Sequence, residues 1–231
     1  MQALNEQWFR VMNGHPSAWG DALFGVLSGL GDGLVVALLC AMLMLWRWRL
    51  GVVGMLAFIV SGLLAQGLKR LFDAPRPPAV LDHVHVLGEV LRAHSFPSGH
   101  ATSDGVMFAT ALLLWGWKDV RGWLLGTLFL LAAMGRVYGG VHFPFDVLAG
   151  LVLGVSMMVL LWRWLGARIP SAWQTHPWGW RLNGMLVLIL AAVLGLGYRI
   201  QPMTAGALTL LLPVCALLLV ARYWKQRLAH G

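Results

Sequence analysis

Three short stretches of this chain hold side chains able to do chemistry on a phosphate ester. The first, LKRLFDAPRPP, carries Lys69 and Arg76, with Pro77 after the arginine. The second, SFPSGHATSDG, starts an apolar run of helical length with Pro97, Ser98, Gly99 and His100. The third, GRVYGGVHFPFD, carries Arg136, His142 and Asp146. Guanidinium groups bind phosphate oxygens in a two-pronged fashion, and a lysine adds a point charge. A helix start presents free N–H groups and positive dipole potential, which favour an anion. Ser98 is therefore either a plain N-cap or, with the Gly99 N–H, part of an anion cradle. A side chain at 99 would hold a phosphate off the backbone. Asp146 lies four residues after His142, on the same face of a helical turn, where Pro144 suits the first turn. Its carboxylate can accept the Nδ1 proton and leave Nε2 free as a nucleophile. His100 can then protonate the leaving oxygen as general acid.

These residues sit in a membrane-type chain. Of 231 residues, 59% are hydrophobic and 11% charged, against about 25% charged in a soluble domain. Cys40 and Cys215 lie inside apolar runs and are expected to pack as thiols. Residues 1–20 lack the apolar core of a cleavable signal, and the 1–23 segment, with Trp8, Phe9, Val11 and Met12, is expected to be interfacial and amphipathic. A spanning helix needs about 20 apolar residues. Candidates fall near 24–46, 50–69, 99–117, 122–140, 145–166, 181–199 and 203–222. The first is interrupted by GLGDG around Asp32 and reads alternatively as a short interfacial helix followed by a shorter span. The expected fold is an all-α polytopic bundle of six to seven spans, one membrane-embedded domain over 1–231. The chemistry lies within 69–146, and 181–222 adds further spans.

Lysine and arginine set the orientation. If the link between the first two spans is cytoplasmic, ten of the seventeen basic residues lie inside, from Arg47 and Arg49 to Lys225 and Arg227. Tryptophans 46, 48, 115, 117, 123, 162 and 164 crowd the same ends as an interfacial belt. That topology puts the 70–98 loop outside and gathers all three chemical stretches on the outer face.

The three spaced motifs, in this order, resemble the type 2 phosphatidic acid phosphatase family, the lipid phosphatases related to vanadium haloperoxidases and glucose-6-phosphatase. Lys69 stands six residues before Arg76-Pro77; Pro97-Ser98-Gly99-His100 follows; Arg136, five residues, His142, three residues and Asp146 close the set. The resemblance implies a phosphohistidine intermediate later hydrolysed by water, with Lys69, Arg76, Ser98, Gly99 and Arg136 binding phosphate and His142, His100 and Asp146 catalytic. It implies no cofactor and no metal, since fixed cations neutralise the transition state. One departure stands out. The family's usual serine before the third-motif arginine is Gly135 here, so one hydrogen bond to phosphate is either missing or supplied elsewhere.

Blander readings accompany each residue. Arg76 and Arg136 alone would pass for snorkelling interfacial cations, and His142–Asp146 for a structural pair. Only the spacing to Arg76 selects Lys69 over Arg70. His83 and His85 with Asp82 invite a zinc reading, against a solvated or headgroup-touching loop holding them and His94. Asp104, four residues after His100, either orients it or is a satisfied polar residue within the bundle. Asp32 is expected near the N-terminal segment, without a catalytic role. The expected function is hydrolysis of a lipid phosphate or diphosphate, undecaprenyl diphosphate by resemblance, with phosphatidic acid and phosphatidylglycerophosphate as rivals. A lipid phosphotransferase is the related alternative, and a non-catalytic lipid transporter the alternative from another class. The expected partners are the bilayer and a phosphorylated lipid, not nucleic acid; the location is a bacterial inner membrane with the site on its outer, periplasmic face. Nothing in the sequence speaks to oligomeric state.

Overall fold

A computed structural model describes residues 2–229, which are helical with no strand among them. The helices are α1 (Gln2–Asn13), α2 (Ala18–Ser28), α3 (Gly33–Met44), α4 (Trp48–Phe72), α5 (Pro77–Val80), α6 (Gly99–Trp115), α7 (Val120–Tyr138), α8 (Pro144–Leu165), α9 (Ala172–Thr175), α10 (Pro177–Leu196) and α11 (Gly206–Ala229). Five of them, α4, α7, α8, α10 and α11, are long and apolar enough to cross a membrane, and the bent pair α2–α3 makes a sixth.

Two spans depart from a single continuous helix of full length. The first span is broken: a 3-10 turn at Gly29–Gly31 separates α2 from α3, and the two helices meet at 60°. Asp32 causes part of this by turning its carboxylate back onto the Leu34 and Val35 N–H groups, capping α3 as a new helix. The other oxygen of Asp32 accepts from the Tyr198 hydroxyl at 3.0 Å, so its partner is the α10–α11 link rather than the N-terminal segment. The second change is length. The span expected at 99–117 is α6, with 17 residues; at 1.5 Å per residue it rises about 25 Å, short of a hydrocarbon core of about 30 Å. Ser98 starts it, and Gly116, at φ +88, ends it.

The core is built from close helix crossings. A Cβ added at Gly150 of α8 would lie 2.5 Å from the Ser98 carbonyl, and one at Gly105 of α6 would lie 2.5 Å from the Leu151 carbonyl. Small residues thus let α6 and α8 touch backbone to backbone, the usual device where lipid supplies no hydrophobic drive. Val53, Ala57, Val106, Ala109 and Met158 fill the space among α4, α6 and α8. A second cluster, with Val35, Leu38, Val187, Leu194 and Val220, joins α3 to α10 and α11. α11 leaves Leu210, Leu211, Leu217 and Leu218 exposed, as a lipid-facing helix does.

The N-terminal segment also differs from its expected extent. Its helix ends at Asn13, and residues 18–23 already belong to α2. α1 keeps Trp8 and Val11 exposed but docks Phe9 against Phe143, ring centroids 5.4 Å apart. Asn13 Nδ2 donates to the His85 and Tyr138 carbonyls at 2.7 Å each. α1 is therefore fastened to the same end of the bundle as the chemical motifs.

Candidate active site

Each of the three motifs reaches one end of the bundle by a local device. Lys69 lies in the last turn of α4, which ends with Asp73 in a left-handed conformation. The chain then runs through Arg76 while residues 92–95 fold back beside it. The Arg76 N–H donates to the Arg92 carbonyl at 2.9 Å, and the Ser95 N–H to the Ala74 carbonyl at 2.8 Å. At the end of α7 the chain reverses at Gly140, where φ is +71 and any Cβ would overlap the His85 carbonyl. The N–H groups of Val141 and His142 both point at the Arg136 carbonyl, at 3.2 and 3.3 Å. Arg136 and His142 therefore share one tight turn. The Ser98 N–H donates to the Asp146 carbonyl at 3.0 Å, which locks the start of α6 to the start of α8.

The cations are buried and aimed. Lys69, Arg76 and Arg136 are 7%, 8% and 8% exposed, whereas Arg70 is exposed, so of the two neighbours Lys69 is the one turned inward. Lys69 Nζ donates to the His94 carbonyl at 2.7 Å and to the Ser95 carbonyl at 3.4 Å. Arg76 donates from Nε to the Ala93 carbonyl at 2.8 Å and from Nη1 to the Val141 carbonyl at 3.0 Å. Arg136 Nη1 donates to Ser28 Oγ at 2.9 Å. Among the described residues no carboxylate lies within ion-pair distance of any of the three. Buried charge without a counter-charge costs several kcal/mol or more unless an anion joins it.

His142 stands among these cations. Its Nε2 lies 3.3 Å from Arg76 Nη1. A guanidinium can only donate, so Nε2 is the bare nitrogen with a free lone pair and the proton sits on Nδ1. The direct Nδ1–carboxylate bond expected from the sequence is replaced by a bridge. Asp146 Oδ2 is 3.6 Å from Nδ1, while Ser95 Oγ donates to that oxygen at 2.6 Å and itself lies 3.3 Å from Nδ1. The Phe143 N–H holds the same carboxylate oxygen at 2.9 Å. Ser95 is fully buried, and the motif pattern gave no reason to single it out. Burial first, then the nearby charges of Arg76, Arg136 and Lys69, hold the His142 pKa well below the usual histidine range; the Ser95 contact works weakly the other way. The imidazole is therefore neutral at pH 7.

The start of α6 faces the same space. Ser98 Oγ accepts from the Ala101 N–H at 3.4 Å, so it caps the helix, and its own proton is left to give. A Cβ at Gly99 would meet only Lys69 Cε, at 3.9 Å, so the cradle above this backbone is open. Asp104 is wholly buried, and neither of its oxygens has a hydrogen-bond partner among the described residues. No hydrogen bond joins it to His100, so the orienting role weighed for it is not carried.

The outer-loop histidines go elsewhere. His85 Nε2 lies 2.9 Å from Asp21 Oδ1, which also accepts from the Tyr138 hydroxyl at 2.7 Å. His94 Nδ1 sits 3.0 Å from Asp73, and His83 is exposed. Among the described residues no group of three or more His, Cys, Asp or Glu side chains is placed to share a metal ion.

A helical membrane bundle whose one end buries three cations, none ion-paired to a carboxylate, around a neutral histidine fits a membrane-embedded phosphate-ester hydrolase. Sequence comparison agrees, matching residues 48–170 to the PAP2 superfamily model. The chain belongs to the PAP2 superfamily and is a membrane-lipid phosphatase. It is 31% identical to an undecaprenyl-diphosphatase of Sulfolobus acidocaldarius over 65% of this chain and 73% of that one. The crystal structure of Aquifex aeolicus LpxE superimposes with a TM-score of 0.63 and 30% identity, covering 69% of this chain and 95% of that one. A PAP2-type phosphatidylglycerolphosphate phosphatase of Bacillus subtilis superimposes at 0.60 with 26% identity, covering 74% and 88%.

Proposed function

We propose that this phosphatase hydrolyses a lipid-linked diphosphate of the undecaprenyl diphosphate type, through a phosphohistidine at His142, on the outer face of the inner membrane. One observation carries the chemistry: Lys69, Arg76 and Arg136 are buried without carboxylate partners, and Arg76 touches the bare Nε2 of His142. A doubly charged phosphoryl group completes that arrangement. Nε2 attacks the terminal phosphorus, and the bond from phosphorus to the bridging oxygen breaks. His100, protonated once the anionic headgroup has entered among the cations, gives its proton to the departing lipid phosphate. The three cations and the N–H groups at the start of α6 take the charge of the equatorial oxygens. The Nδ1 proton, shared with Ser95 and backed by Asp146, steadies the imidazolium that forms. Water, giving a proton to His100, then attacks the phosphohistidine, releases inorganic phosphate and restores the His142 imidazole.

The undecaprenyl substrate rests on the Sulfolobus relative, and the outer-face orientation rests on the basic residues gathered at the opposite end of the bundle. The whole chain acts as one membrane domain, with α1–α3 and α10–α11 set around the motif-bearing helices. The purified protein is expected to release phosphate from undecaprenyl diphosphate faster than from phosphatidylglycerophosphate or phosphatidic acid, with chelator present throughout, and to be inhibited by vanadate. Faster turnover of either rival lipid would reassign the substrate, and transfer of the phosphoryl group to an added lipid alcohol in preference to water would reassign the reaction. For orientation, a cysteine at Glu89 should react with an impermeant thiol reagent in intact cells and one at Lys118 should not, both positions being exposed. A Cys215→Ser background removes the exposed native thiol.

A further inference from the structure

The break in the first span lies directly behind the phosphate site. Ser28 is the last residue of α2, 2% exposed, and its hydroxyl accepts from Arg136 Nη1 at 2.9 Å. This is the one hydrogen bond that the Arg136 side chain makes among the described residues; Nε has none. Arg76 and Lys69 are held by carbonyls of the 92–95 segment and the catalytic turn. Arg136 is held instead by a side chain from a helix outside the matched 48–170 region.

Gly135 and Ser28 are fitted to one another. A Cβ built at Gly135 would lie 3.4 Å from Ser28 Cβ and 3.1 Å from the Phe24 carbonyl. The side chain at 28 thus packs against the bare backbone at 135.

We propose that Ser28 is a positioning residue of the phosphate site, fixing the Arg136 guanidinium from the broken first span. The proposal rests on the phosphatase reading for its ligand class, a tetrahedral phosphate-like anion. It does not depend on which lipid is cleaved.

The test compares the full-length wild type with Ser28→Ala and Ser28→Thr, all in one detergent. Orthovanadate affinity by calorimetry reads the anion site without turnover, and kcat/KM on a lipid diphosphate reads catalysis. Ser28→Ala should weaken vanadate about 10-fold or more, the scale of a hydrogen bond to a charged group, with a parallel loss in kcat/KM. Ser28→Thr keeps the hydroxyl and should stay within about 3-fold of wild type by the same reasoning. Wild-type vanadate affinity in Ser28→Ala overturns the proposal. So does an equal loss in the alanine and threonine variants, which would make Ser28 a packing residue. A wild type that binds vanadate but cleaves no lipid phosphate would defeat the phosphatase reading, while the affinity series still decides on Ser28.

Discussion

The two ends of the bundle use the same basic residues in opposite ways. At the far end, Arg121 is exposed, pairs with Asp119 at 2.6 Å and lies over the Trp115 ring. Lys118, Arg168 and Arg181 likewise lie over tryptophans 117, 164 and 180. Such pairs are satisfied, solvated and individually worth little. At the motif end, Lys69, Arg76 and Arg136 are buried and held by carbonyls and one hydroxyl. Carbonyls orient a cation without cancelling its charge. The difference teaches that a phosphate site in a membrane is recognised less by having cations than by what they are bonded to.

The largest contrast should come from the nucleophile. His142→Ala should abolish phosphate release, by about 10⁴-fold or more, because no second nitrogen occupies its place. Arg121→Ala at the far end should leave release within about 2-fold, as an exposed pair contributes little. A comparable loss in both variants would erase the distinction between the ends. His100→Ala comes next. It should cost on the order of 10²–10⁴-fold on a lipid phosphate monoester, whose leaving alkoxide needs a proton, and far less on an aryl phosphate. Equal losses on the two substrates would make His100 a phosphate-positioning residue instead.

Arg76→Lys keeps the charge but breaks the fork that spans Ala93, Val141 and His142 Nε2. A loss of about 10²–10³-fold in kcat/KM is expected, the scale of removing one preorganised donor. Wild-type activity in this variant would show that charge alone matters. The smallest effect concerns protons. Because burial and three cations lower the His142 pKa, the neutral nucleophile persists on acidification, and its acid limb in kcat/KM should fall below the ordinary value of about 6.5. Arg76→Ala removes one of those cations and should move the limb back up toward neutral pH. A limb that stays fixed would mean that burial alone sets the shift.

Much of this site is legible in the sequence because charge is scarce there. Lys69, Arg76, His100, Arg136, His142 and Asp146 stand out against an apolar chain, and their spacing names the family. GLGDG likewise foretold the interrupted first span. Ser95 and Ser28 were not legible, since serines are common in loops and membrane helices alike and nothing in their spacing ties them to His142 or Arg136. The carbonyls of Ala93, His94 and Ser95 that seat the cations have no letter at all, because every residue carries one. The shortness of α6 was hidden for another reason: apolar residues run on to Trp117, while Gly116 has already turned the backbone.

That short helix has a consequence for how a long-chain substrate is handled. α6 rises about 25 Å against a hydrocarbon core of about 30 Å, so its two ends do not both reach the surfaces of a full-thickness bilayer. On the phosphatase reading proposed above, a start of α6 set below the outer surface would let a headgroup meet Ser98 and Lys69 while its hydrocarbon stays in the leaflet. Drawing the chain up into water would cost about 0.8 kcal/mol for every methylene exposed, a penalty that grows with chain length. A recessed site would spare long and short lipids that penalty alike and leave their headgroups to tell them apart.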